Sequence, residues 1–304
     1  MSYADKLFGK VPYVKNLLEN CPQELIFHYT KPAKLLAMLE GGKLRFSNAL
    51  YLNDKEEVTY SYQLILNLLE ENTNLNPILK EKIQARFKNK CFCQSDDIAY
   101  NYEYYTVSFS TNPDNLTLWN NYSKDKVYTG YNIGFDKKLL IENMIKNEYS
   151  PIYGAIIYDQ KKQIEIINFI LNKWNSKIER ALNTKKYIQK HDNTKIVALL
   201  IEIIDILSIV SIFFKNPHFK DEQEYRIVLV NNFAGKNARQ IKICEKNGLF
   251  VPYIEFAYSK ESVKAVNIGP TLNENIFKTS TERMLLNFGY KNTNVKQSKI
   301  PLRY

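Results

Sequence analysis

FKDEQEYRIVLV, residues Phe219 to Val230, starts charged and ends with four apolar residues in a row. Ile227 to Val230 put apolar side chains on both faces of an extended chain, so the segment reads as a central strand rather than an edge. Alternation places Glu222, Glu224 and Arg226 on one face of that strand and Tyr225, Ile227 and Leu229 on the other. The two carboxylates would then stand about 6–7 Å apart, with a guanidinium at the next position on the same face. The plain alternative is a solvated sheet face with an exposed ion pair worth about 0–1 kcal/mol.

A central strand needs neighbours, and alternation with β-branched or aromatic enrichment supplies them. Strands are expected near 25–29, 43–47, 104–110, 131–135, 152–158, 225–231, 239–244, 249–256 and 263–268. Helical periodicity appears near 32–40, 57–70, 76–89, 115–123, 137–147, 160–189, 194–214 and 273–287. Strands thus flank two long helices, which argues for an α+β domain rather than a βαβ repeat. No linker composition or internal repeat divides the chain, so residues 1–304 read as one domain with a helical insertion at about 160–215. Gly41-Gly42 marks a helix C-cap before the strand at 43, and Asn112-Pro113-Asp114 gives turn and N-cap chemistry after Ser108-Phe109-Ser110.

The 304 residues are 45% hydrophobic, ample for a core, with a net charge of +10. Residues 1–150 hold 18 basic and 18 acidic side chains, whereas 151–304 hold 24 and 14. A basic field of this kind favours an anionic partner such as nucleic acid, a nucleotide or an acidic protein, although lysine also serves solubility alone. Ile196 to Phe214 is apolar enough to raise a membrane reading, but Glu202 and Asp205 in its middle would cost about 2.5–3.5 kcal/mol each on insertion. It reads instead as a buried helix with both acids on its wet side. The start of the chain lacks the apolar stretch of a signal peptide, so a cytoplasmic location is expected.

Cys21, Cys91, Cys93 and Cys244 show no paired Cys-x-x-Cys spacing, so structural zinc is not expected, and Cys91-Phe92-Cys93 reads as reduced thiols before it reads as a soft-metal or redox pair. Phosphate-loop, dinucleotide-fingerprint, hydrolase-elbow, zincin and EF-hand patterns are missing. A metal-dependent nuclease would have Asp54, Glu56, Glu57 and Glu222 as ligands, yet the first three read more simply as a loop and a helix N-terminus. A lone His28 at a strand end is ordinarily structural. Ser108 and Ser110 share a strand face, and Trp119 and Tyr122 share a helix face, where core packing is the ordinary use and stacking on a flat ring the functional one.

In order along the chain, FHYT, GKLRFSNALYLNDKEE, YTVSFSTNPDNLTLWNNYS, GYNIGF, YDQKK, FKDEQEYRIVL and VNIGP resemble the bacterial domain-of-unknown-function family 2971, often associated with mobile elements and phage defence. The resemblance spans about residues 25–270. That family in turn is similar to a divergent branch of the ADP-ribosyltransferase superfamily. It implies split antiparallel β-sheets with peripheral helices and NAD, used as substrate, in the cleft between them.

The resemblance further implies roles. His28, with Tyr29 and Thr30, would hold the ribose and amide end of NAD. Ser108, Phe109 and Ser110 would form the second element, and Glu224 with Glu222 the catalytic third. Tyr122 or Tyr29, beside Trp119, would stack on nicotinamide, while Arg226 and Arg45 would serve the pyrophosphate or pair with Glu222. The chemistry suits the residue types, since cleavage of the nicotinamide–ribose bond passes through an oxocarbenium-like state that a carboxylate stabilises. The expected function is an NAD-dependent ADP-ribosyltransferase modifying nucleic acid or protein, as a toxin or antiphage effector with a possible antitoxin or defence-system partner. The alternatives are a basic nucleic-acid or protein binding module that is not an enzyme, and a plain NAD glycohydrolase.

Overall fold

The computed structural model describes residues 3–51, 55–88, 102–123, 129–184, 193–232, 239–246 and 248–301. Its strands are β1 (Leu25–Thr30), β2 (Lys43–Asn48), β3 (Tyr102–Ser110), β4 (Tyr131–Asp136), β5 (Ile152–Ala155), β6 (Glu224–Asn232), β7 (Lys242–Lys246), β8 (Leu249–Ala257), β9 (Val263–Ile268) and β10 (Asn294–Gln297). Its helices are α1 (Tyr3–Phe8), α2 (Pro12–Glu19), α3 (Pro32–Gly41), α4 (Lys55–Glu71), α5 (Pro77–Lys88), α6 (Leu116–Tyr122), α7 (Lys137–Lys146), α8 (Gln160–Leu182), α9 (Thr194–Ser211) and α10 (Glu274–Asn287). The protein is α+β.

The apolar run of β6 is central, as its composition demands. One side pairs antiparallel with all of β3, from Tyr102↔Asn232 to Ser110↔Glu224, and the other with β5, from Ile152↔Val228 to Ala155↔Tyr225. The far side of β3 is shared between two strands that part from each other. β2 pairs with it at Ser47↔Thr106 and Asn48↔Tyr105, and β1 only at Phe27↔Ser110. Beyond β1 lie β4, β9 and the parallel β10; beyond β2 lie β8 and β7. The sheet therefore splits at β3.

Helices cover both faces. α3, α7 and α10 bury Leu35, Leu39, Leu140, Met144 and Leu285 against one face, where Tyr105, Val107, Phe109, Tyr225 and Ile227 point. On the other face, α1, α2, α4, α5, α8 and α9 pack over Tyr104, Ile152 and Val228, so the helices of 160–215 form part of a layer laid on the sheet. Local signals set the ends. Gly42 closes α3 in the left-handed conformation (φ 59°), open to glycine without strain, and Asp136 and Asp159 accept backbone N–H groups as N-caps of α7 and α8.

Several expectations change. The strand expected at 152–158 stops at Ala155, and α1, α2 and β10 add to the expected elements. Glu202 is partly exposed and pairs with Lys10, but Asp205 is buried, because the second half of α9 is enclosed by neighbouring helices and has no wet side. No helix among the described residues is long and apolar enough to cross a membrane. Cys91, Cys93 and Asp54 lie outside the described residues.

α2 approaches β5 so closely that a Cβ on Gly154 would stand 2.6 Å from both the carbonyl oxygen and Cβ of Leu18. Backbone cannot yield as a flexible side-chain tip does. Gly154→Ala is expected to cost about 1–3 kcal/mol in urea unfolding, by overpacking.

Candidate active site

Register fixes which side chains share a face. The Thr111 N–H donates to the Gln223 carbonyl, so Thr111 and Phe109 bond toward β6 while the N–H and C=O of Ser108 and Ser110 point into the split. Their side chains, with Glu224 and Arg226 opposite them, stand on the face covered by α8 and α9. Phe27 pairs with Ser110, which puts Phe27 and Tyr29 on that face too. First, second and third strands thus converge at the row Phe27–Ser110–Glu224.

Glu224 sits 6% exposed at the centre of an ion cluster. Arg226 grips it in fork geometry, Nε to Oε1 at 2.5 Å and Nη2 to Oε2 at 2.8 Å. Its third nitrogen, Nη1, donates to the Ile212 carbonyl at 2.6 Å, where the C-terminal end of α9 favours a cation. Lys215, the next polar residue after that helix, spans Glu224 at 3.2 Å and Glu222 at 2.6 Å. The Ser108 hydroxyl stands on the same face and helps hold the Glu224 carboxyl down, and the Tyr158 hydroxyl accepts the Glu224 N–H at 3.0 Å. Burial alone would raise the carboxyl, but Arg226 first and Lys215 next outweigh it and hold Glu224 down at about 2.

Glu222 reaches the cluster by a different route from the one expected. It ends a 3-10 turn, Pro217–Glu222, and Gln223 then takes a left-handed conformation (φ 46°), which breaks the alternation that would have placed 222 and 224 on one strand face. There its carboxylate pairs with Lys215 at 2.6 Å. Ser110 steadies this turn, donating to the Glu222 carbonyl at 2.8 Å.

His28 does not meet Glu224. Its cross-strand partner Ile133 and its edge contact with Phe109, ring centroids 5.7 Å apart, place the imidazole on the opposite face of the sheet. There Nδ1 bonds the Ser108 carbonyl at 2.9 Å, filling a hydrogen-bond position that neither diverging strand supplies. Thr30 and Phe109 share that buried face, so the structure separates all three from the carboxylates. Tyr29 lies on the Glu224 face but packs on Trp119 at 4.6 Å, its hydroxyl satisfied by Asn112 and Asn115. Trp119 is buried, with Nε1 donating to Asp114 at 2.7 Å. Tyr122 remains the partly buried ring near the carboxylates; burial and then Glu224 and Glu222 push its hydroxyl up. Arg45 stands on β2, paired with Glu255 at 3.5 Å.

Burial lowers the His28 imidazole, against the pull of its bond to Ser108 and with help from Lys34. A histidine depressed in the folded state adds stability that is present above the unfolded value near 6.5 and lost as pH falls below it. Melting temperatures between pH 7.5 and 5.5 should fall for the natural protein and fall less for His28→Gln. The Glu224 contribution is present above about 4.5 and lost toward about 2, a separate window.

No group of three or more His, Cys, Asp or Glu suited to a metal occurs among the described residues. Residues 118–227 match the profile of the family described as "Protein of unknown function (DUF2971)". No curated protein matches the chain. Among solved structures, "Thermus sp. 2.9 DarT in complex with ADP-ribosylated ssDNA" is similar at 9% identity and a TM-score of 0.34, over 92% of this chain and 97% of that one.

Proposed function

We propose that the protein is an NAD-dependent ADP-ribosyltransferase with Glu224 as its catalytic carboxylate. The supporting observation is the convergence of three strands at Phe27, Ser110 and Glu224, where the sheet splits and an ionised carboxylate is held beside Tyr122. In the reaction the C–N bond between ribose and nicotinamide breaks, and nicotinamide leaves with the bonding electrons. An acceptor nucleophile then forms the new bond to the anomeric carbon and loses its proton. Glu224 would stabilise the positive charge on the ribose, and Ser108 would fix the carboxylate's orientation.

In the closed cluster that charge is already neutralised by Arg226 and Lys215. The pyrophosphate of NAD is the natural competitor for Lys215, and drawing Lys215 away would open one acceptor position on Glu224 Oε2, which Arg226 Nη2 continues to share, to the ribose. His28 acts at one remove, as a positioning residue that ties β1 to β3 at the split. A role as toxin or antiphage effector, and an antitoxin or defence partner, belong to this proposal through the family resemblance.

Burial and saturation of Glu224 favour a second reading, in which the cluster is structural and the protein a binding module. Incubation with NAD labelled on its adenylate half plus cell lysate separates them. Label in protein or nucleic acid supports the transferase, and free ADP-ribose alone indicates NAD hydrolysis. NAD left intact, with no thermal shift at saturating concentration, refutes both enzymatic forms.

A further inference from the structure

The face that carries Glu224 and Arg226 continues across β3 onto β2, β8 and β7, and among the described residues none of these three strands joins the core beneath the helical layer. Leu44 and Phe46 turn to the opposite core, so Lys43 and Arg45 project from the same face as Ser108, as do Tyr253 and Glu255 on β8 and Lys242 on β7. The lysine and arginine side chains are 50%, 57% and 42% exposed in the order Lys43, Arg45, Lys242. All three gather on Glu255, at 3.5, 3.5 and 2.6 Å. Three cations on one carboxylate leave two positive charges unspent.

The arginine is pre-arranged. Its guanidinium carbon lies over the Tyr253 ring, 4.8 Å from its centre, while Nε pairs with Glu255 at 3.5 Å, so the planar cation is held between ring and carboxylate. The exposed part of such a plane is a stacking platform for an unpaired base. Lys43 is two residues along the same strand, about 7 Å away, and Lys242 lies two strands over, so cations flank the platform on both sides. β2 is two strand spacings from β6, roughly 10 Å.

We propose that this open face of β2, β8 and β7 binds single-stranded nucleic acid, a base stacking on Arg45 and phosphates held by Lys43 and Lys242. An acidic peptide would use the charge but not the platform. Binding itself is independent of the transferase reading. Only the further step, that this strand is the acceptor presented to Glu224, rests on it.

The test is fluorescence anisotropy of a labelled 20-nucleotide single-stranded DNA, without NAD. With two phosphates neutralised, affinity should fall about sevenfold between 50 and 200 mM salt. Arg45→Glu should weaken binding at least tenfold and flatten the salt slope. Glu255→Gln, which frees the cations, should tighten it. Lys138→Glu, the same charge change on exposed α7 across the sheet, should stay within twofold. A matched duplex should bind several-fold more weakly. Equal loss in Arg45→Glu and Lys138→Glu, equal affinity for duplex, or no binding by the natural protein would overturn the assignment. NAD turnover with unaltered DNA binding in Arg45→Glu would refute this surface and spare the enzyme. DNA binding lost in Arg45→Glu without any NAD turnover would do the reverse.

Discussion

Glu224→Gln is expected to abolish NAD consumption, by at least about 100-fold, in a protein that still folds. The size follows from what is removed: a fixed negative charge facing the carbon on which positive charge develops, in a site shielded from water. The amide keeps the shape but offers one acceptor oxygen, so it can take one arm of the Arg226 fork while its NH2 faces a donor. Its cost is electrostatic, because Arg226 and Lys215 lose the charge that balanced them. A penalty on the order of 3 kcal/mol is expected for breaking a buried pair from one side. NAD turnover should therefore be assayed well below the variant's melting temperature, with unfolding monitored in parallel. Full turnover by a folded Glu224→Gln protein would end the catalytic assignment.

The second large effect concerns stability alone. Arg226→Met should destabilise by about 3–5 kcal/mol, since Glu224 stays buried without its fork and the Ile212 carbonyl loses its donor. Glu224→Leu should cost a similar amount. The double variant should recover part of the loss, giving a coupling energy of about 1–3 kcal/mol in urea unfolding. That pattern identifies a mutually dependent pair. Additive losses, each below 1 kcal/mol, would mean that the crossing of helix and sheet is held by apolar packing alone.

The two effects need not conflict. A cluster that stabilises the fold while closed and exposes its carboxylate on binding an anion would satisfy both, and the NAD dependence of melting reads that directly.

Much of this was legible in the chain, for identifiable reasons. Ile227 to Val230 marked β6 as central because only a strand covered on both faces carries such a run, and β3 and β5 are its neighbours. Gly42 and the serine pair fell where turn and alternation rules placed them. The face of His28 was not legible, because parity becomes a side only when register is known, here the single pairing Phe27↔Ser110. Glu222 was misplaced because nothing in Gln223 announces a left-handed residue. Lys215 was overlooked although it carried a signal. A lone cation directly after a long apolar helix stands where a helix C-terminus favours positive charge. Tyr158 and the N-terminal helices depend on contacts between distant segments, which local pattern does not encode.

Ser110 and Glu222, hydrogen-bonded in the fold, stand 112 positions apart in the chain. A ribosome adding about 5–20 residues per second needs on the order of ten seconds to cover that distance. Until then β3 lacks β6, and the side of its Tyr104–Phe109 stretch that β6 will cover is an unpaired, apolar edge. The ladder that encloses Glu224 is thus among the last parts of the molecule to close. Slow synthesis prolongs the interval in which β3 can pair with another chain, so the closed cluster also marks the end of the protein's most aggregation-prone phase.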